Sequence, residues 1–319
     1  MQQNILPTTK KVVENAKSVL INKNAIEKFC GSFSLDNLAT TELGNVAKFD
    51  ISQQIGLVCV FNCVNFCFWA TKEQEKWATK IEGEMIDGAT GMFRSLEEAL
   101  KNGVSLLDAH FLQNISREKF NEILNGNIEI PLLDERVKCL SEAGEILLKN
   151  FDGSFMKVFE TANGDAVELT NLFIKFFSSF NDYATFEGEK VEFHKRAQLN
   201  TDMINYRLTK HEEKELSNLE KLTAFADYKV PQMLRKFGIL EYAQELAQKI
   251  DSCEEIEAGS QEEIEIRAAT IWAIDQMKEV LTPRFPQITA RQLDDHLWSL
   301  GQTKSPDNKP YHRTKTIYY

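Results

Sequence analysis

The sequence predicts a predominantly all-α protein: a compact bundle of short helices with a few short strands at most. Apolar residues mostly recur at helical spacing, β-branched runs such as Lys10 to Val13 do not alternate over a useful length, and Gly or Pro punctuates the joints. The periodic segments are, in order, Thr9–Ile21, Val58–Ala70, Ser95–Asn102, Ser116–Leu124, Glu135–Asn150, Asp165–Phe180, Lys195–Thr209, Pro231–Phe237, Tyr242–Ser252, Glu262–Leu281 and Thr289–Leu300. Gly153 and Gly164 part the fifth segment from the sixth, Gly188 precedes the seventh, Gly238 follows the eighth, and a turn at Pro283–Pro286 precedes the last. Val46–Asp50 and Glu84–Phe93 read as small strands or turns. With no internal repeat and no clear seam, residues 1–319 read as one domain.

Composition narrows the function classes. The chain is 43% hydrophobic and 27% charged, has no apolar run able to cross a bilayer and no signal segment, and is expected in the cytoplasm or another intracellular compartment. A net charge of −11 argues against wrapping a long polynucleotide, which needs a broad basic surface, but leaves room for a small anionic ligand. Six cysteines in such a chain read as reduced thiols; Cys59, Cys63 and Cys67 would share one helix face as core residues, without the companions of a zinc site. Metal and organic cofactors are not expected. The P-loop, dinucleotide-binding, zinc-protease and nucleophile-elbow motifs are missing from the sequence.

The most informative stretch is TAFADYKVPQMLRKFG, Thr223–Gly238. Pro231 is expected to open a helix at its first position, so Asp227 precedes a helix N-terminus, where free amides and the dipole favour the ionised carboxylate. Phe225 and Tyr228 flank it with faces on which a flat base can stack. Asn62, Asn65 and Trp69, at i, i+3 and i+7, form a polar–aromatic stripe that either satisfies neighbouring backbone or reads a heterocycle. Lys195 and Arg196 suit either a solvated helix start or a phosphate. Arg267 pairs with other charges or turns inward to a ligand, and the acidic run Glu254–Glu265 reads as a solvated loop and first helical turn. The polar tail from Gly301 onward reads either as a frayed end or, from its Tyr311, His312, Arg313, Lys315, Tyr318 and Tyr319, as a docked strand or arm, of which such a density of rings and cations is more typical.

Taken together, FNCVNFCFWA at 61–70, FHKRAQL at 193–199, LTAFADYKVPQMLRKFGIL at 222–240, EIRAATIWAID at 265–275 and PYHRTKTIYY at 310–319 resemble the queuosine salvage protein family in order and spacing along nearly the whole chain. The resemblance implies an all-α hydrolase related in fold to the helical DNA glycosylases. Such a protein cleaves queuosine 5′-monophosphate and releases queuine for transfer RNA modification. Asp227 matches the family's catalytic aspartate, with Lys229 at a position that often carries another basic residue. Phe225 and Tyr228 match the aromatic flank; Asn62, Asn65, Trp69, Lys195, Arg196, Arg267, His312 and Arg313 are expected in the pocket from their motifs and chemistry. A carboxylate beside a breaking C1′–N bond can stabilise the oxocarbenium charge, attack it, or activate water. Two rivals stand beside this reading. One is a DNA or RNA base glycosylase using an amine such as Lys195; the other is a non-catalytic helical module that binds queuine or a nucleotide.

Overall fold

The computed structural model describes residues 4–38, 42–71, 73–303 and 305–319. Its elements run α1 (Ile5–Glu14), β1 (Val19–Ile21), α2 (Lys23–Gly31), α3 (Ile51–Val64), β2 (Ala78–Ile81), β3 (Glu84–Asp87), α4 (Gly88–Lys101), α5 (Ala109–Gln113), α6 (Arg117–Leu124) and α7 (Leu133–Asn150). There follow α8 (Phe155–Thr161), α9 (Ala166–Phe176), β4 (Tyr183–Phe186), β5 (Glu189–Glu192), α10 (Lys195–Lys210), α11 (Lys229–Lys236), β6 (Leu240–Tyr242), α12 (Gln244–Ser252), α13 (Gln261–Leu281) and α14 (Ala290–Gln302). The predominantly α-helical expectation holds. The strands form only small two-stranded antiparallel sheets: β2 with β3, β4 with β5, and β1 with the distant β6.

Two hydrophobic cores divide the chain. The first gathers apolar side chains between Val46 and Leu222 around α3, which is buried on nearly every face. Gly144 on α7 lets α5 approach closely, because a Cβ there would run into the backbone of Ala109 and Gln113. The second core joins the N-terminal Ile5–Phe33 region to α11–α14, with α1 and α2 lying against α13. A smaller cluster of Phe66, Cys67, Trp69 and Cys139 touches Tyr228, Tyr311 and Ile317.

Several boundaries differ from expectation for local reasons. The expected Thr9–Ile21 helix stops at Glu14, and Val19–Ile21 pair with β6 instead. The expected Val58–Ala70 helix begins at Ile51, capped reciprocally by Asp50 and Gln53, and ends at Val64. Its exit is fixed by Arg136 of α7, whose buried guanidinium donates to the carbonyls of Val64, Phe66 and Cys67. Cys67 therefore lies beyond the helix, at φ 48°, and does not extend the Cys59–Cys63 face. All six cysteines are free, and five are buried. The acidic run is not wholly solvated: Glu263 and Glu265 are buried, the former accepting from the Tyr319 hydroxyl and the latter from the Lys17 and Ser18 amides. Among the described residues, no helix is long and apolar enough to cross a membrane.

The tail docks on the protein itself. The Ile256 amide donates to the Arg313 carbonyl at 2.7 Å, the Trp69 indole to the Thr314 carbonyl at 3.0 Å, and the Cys67 amide to the Tyr319 carbonyl at 2.9 Å.

Candidate functional site

A cavity of about 350 Å³ opens between the two cores. Phe61 and Phe68 line it from the first core, Trp298 from the edge of the second, and Phe66 and Tyr228 from the small cluster. An apolar cleft of this size with a few convergent charges is the usual form of a small-molecule site. Among the charged side chains that line it are Lys195 on α10, Asp227 in the turn before α11, and Asp294 on α14.

Each is held by identifiable partners. Phe193 and His194 donate their amides to the Asp182 carbonyl, and the Lys195 amide donates to the Asp182 carboxylate at 3.2 Å, so Asp182 fixes the start of α10. Arg267 in turn grips Asp182 with both guanidinium nitrogens, at 2.9 and 2.5 Å. The extended segment before α11 has its amides taken by side chains: Thr223 donates to Gln198 at 2.8 Å and Phe225 to the Asp294 Oδ1 at 2.8 Å. This leads the chain to Asp227, whose Oδ1 accepts the amides of Lys229 at 2.7 Å and Val230 at 2.9 Å.

The helix behind Asp227 starts at Lys229, earlier than the expected Pro231. Pro231 is then its third residue, where the missing N–H is still one of the unpaired amides of a helix N-terminus. Asp227 is only 6% exposed, and that burial pushes its carboxyl above the ordinary carboxylate value, outweighing the opposing pull of Lys195 and of the Val230 and Lys229 amides. The helix terminus alone therefore does not set its ionisation. Burial also lowers the Lys195 ammonium, against the raising effect of Asp227 and Asp294. Asp294 is pushed up further still, by burial and then by the negative charge of Asp227, with the Phe225 amide and Lys195 opposing. Two carboxyls with unequal proton affinities thus share one ammonium.

Of the residues named from sequence, Asn65, Lys195, Phe225, Asp227 and Tyr228 line the cavity together. Asn62 lies behind them, donating to the Val58 carbonyl at 3.1 Å and to Asn200 at 3.3 Å. Trp69 faces the docked tail through its bond to Thr314 rather than sharing a helical stripe with Asn62 and Asn65. Arg196 donates to the carbonyls of Asn62, Cys63 and Ser179, and its guanidinium lies 5.0 Å from the centre of the Phe66 ring. Arg267 stands 4.6 Å from the centre of the Tyr319 ring. Phe66 and Tyr319 both line the cavity, so the two arginines back its wall. His312 is buried 5.9 Å from Tyr319, centre to centre, and Arg313 donates to the Ala70 carbonyl at 3.1 Å.

The sequence reading passed over Asp294, Arg291, Trp298 and Tyr206, and set Asp202 on one helical face with Lys195 without assigning it to the site; all of them line the cavity. The signal for Asp294 is its place on a helix face with Ala290, Leu297 and Gly301, where a lone carboxylate among small and apolar residues asks for a reason. Arg291 and Asp202 join α14 to α10 across the cavity rim by an ion pair of 2.7 Å.

The sequence has clear relatives. The family profile described as queuosine salvage protein matches residues 47–319. A protein of Sphaerobacter thermophilus named queuosine 5′-phosphate N-glycosylase/hydrolase is 38% identical over 317 residues, covering 99% of this chain and 97% of its own length. Proteins of the same name from Mus musculus and Dictyostelium discoideum are 32% and 29% identical, covering 83% and 98% of this chain and 82% and 97% of their own lengths. The order of the motifs, the helical architecture and these matches agree, and the chain belongs to the queuosine salvage protein family.

Proposed function

We propose that this protein hydrolyses the N-glycosidic bond of queuosine 5′-monophosphate and releases queuine for salvage into transfer RNA modification. The observation that carries the chemistry is the buried Asp227, oriented by two helix amides beside Lys195 in an aromatic-walled cavity. As the C1′–N bond lengthens, positive charge grows on the sugar. A fixed carboxylate in a largely buried site stabilises that charge with little reorganisation. The same oxygen pair can take the proton of the attacking water, or bond to C1′ transiently. Lys195 serves twice: its ammonium favours the ionised form of Asp227, and it offers the anionic substrate a buried positive partner. Phe225 and Tyr228 supply stacking faces for the base, and Asn65 a polar edge.

In this reading Asn62, Trp69, Arg196, Arg267, His312 and Arg313 serve binding by holding the cavity wall and the docked tail in place. Residues 1–319 act as one catalytic unit, because both cores contribute to the cavity. The ligand is a small molecule rather than a long nucleic acid, in keeping with the net charge of −11 and a cavity of about 350 Å³, and the expected location is cytoplasmic. The test is chromatographic detection of free queuine after incubating the purified protein with queuosine 5′-monophosphate. Release supports the reading. Intact substrate beside folded protein overturns it in favour of a binding module.

A further inference from the structure

We propose that Asp294 is a second catalytic carboxyl, the acid that protonates the departing base while Asp227 serves the sugar. This rests on the glycosidase reading above and adds a residue to it. The argument is positional. Asp294 is 4% exposed and lines the same cavity as Asp227, but it is tied to a different point of the site: its Oδ1 accepts the amide of Phe225, the residue whose ring offers a stacking face for the base. Asp227, two positions further along the same segment, instead takes the amides at the start of α11. One carboxyl is thus anchored where the base would stack, and the other where the helix terminus meets the cavity.

The surrounding charges favour a division of labour. The Lys195 charge on α10 acts on both carboxyls, enough to balance one negative charge but not two. Asp295, the neighbour on α14, adds a further unfavourable negative charge at Asp294. The other charged groups nearby are engaged. Arg291 pairs with Asp202 at 2.7 Å, the Lys229 ammonium donates to the Gly301 carbonyl at 3.2 Å, and α13, packed beside α14, pairs its Asp275 with Lys278 at 2.5 Å. His296 on α14 turns to the Phe33 ring, 5.7 Å away between centres. Asp294 accordingly keeps its proton to higher pH than Asp227, as expected of two close carboxyls placed in unequal surroundings.

The proton count closes. When the C1′–N bond breaks, its electron pair passes to the base, and the Asp294 proton moves to a ring nitrogen of that base. Water adds to C1′ and gives a proton to Asp227. Asp227 then holds one proton more and Asp294 one fewer, and exchange with solvent after product release restores both. A 7-deazapurine gives this acid a particular purpose, because its carbon at position seven cannot accept the proton that assists departure of an ordinary purine.

The test is the pH dependence of kcat for queuine release by wild type, Asp294→Asn and Asp294→Glu, with melting temperatures measured alongside. Asn keeps an acceptor for the Phe225 amide but has no proton to give. We expect Asp294→Asn to lose at least about 100-fold in kcat at neutral pH, the range for loss of a general acid, and to lack the alkaline fall of the wild-type profile. Asp294→Glu should retain that fall. A near-wild-type rate in Asp294→Asn, or a reduced rate with the alkaline fall intact, overturns the proposal. So does a wild-type kcat that shows no alkaline fall, a result independent of whether any variant folds. Failure of wild type to release queuine at all would instead sink the glycosidase reading itself.

Discussion

Replacing Asp227 by Asn removes a charge while keeping the shape. The Asn Oδ1 still accepts the Lys229 and Val230 amides, and Lys195 keeps Asp294 as a neighbour, so the α11 start should survive and the melting temperature should move by only a few degrees. What disappears is the carboxylate facing the developing oxocarbenium ion. At about 4 Å and an effective dielectric near 20, a unit pair interacts by about 4 kcal/mol. At about 1.4 kcal/mol per tenfold, that corresponds to a rate loss on the order of 10³. The assay is single-turnover release of queuine, with the protein in excess over queuosine 5′-monophosphate, so that chemistry rather than product release is read. Queuine should still raise the melting temperature of the variant, because mass action on the folded state needs binding and not turnover. A variant that turns over within about fivefold of wild type would refute the electrostatic argument.

Lys195→Ala should shift the acidic limb of kcat/KM to higher pH, because a raised Asp227 loses the ammonium that pulls it down; an unmoved limb removes that role. Arg267→Leu leaves Asp182 buried without its guanidinium partner and loosens the start of α10, for an expected cost of about 3–5 kcal/mol in urea unfolding. A loss below about 1 kcal/mol would place that pair among the weakly contributing ones. His312 is held down at about 3 by burial and by the nearby Arg267 charge, whereas the unfolded chain takes up its proton near 6.5. Its contribution to stability is therefore full above about pH 6.5 and is lost as pH falls toward 3, so His312→Phe should flatten that part of the melting-temperature profile. Parallel profiles for the two proteins would refute this.

The helical class was legible because periodicity reports one-sided burial, and α6, α7, α10, α13 and α14 fall close to their expected spans. The failures come from contacts distant in sequence. Nothing local in Val58–Ala70 announces that a guanidinium more than sixty residues later will claim the carbonyls at its end, yet Arg136 stops α3 at Val64. Thr9–Ile21 keeps an apolar pattern past Glu14, but Val19–Ile21 are claimed by β6, whose pairing no local window contains. At the site, Asp227 and its aromatic neighbours were visible because the aspartate precedes a proline-marked helix start. Asp294 was hidden in an ordinary amphipathic helix, and its meaning depends on α14 lying against the Phe225 segment. For Arg196 the sequence left a solvated helix start or a phosphate open, and for Arg267 a charge partner or a ligand. Only their partners, backbone carbonyls for one and Asp182 for the other, show where their charge is used.

The pairing of β1 with β6, and the packing of α1 and α2 on α13, separate the span of the family match from the span that folds. The match begins at residue 47, but Ile5, Val12, Val19, Ile26 and Phe33 lie ahead of it in the same core as Ile264 and Ile271. A fragment cut at 47 would keep Lys195, Asp227 and Asp294 while baring the apolar side of α13 to water. It should associate or aggregate rather than work, because the shortest stretch recognisable by likeness is shorter than the shortest stretch that can bury its own helices.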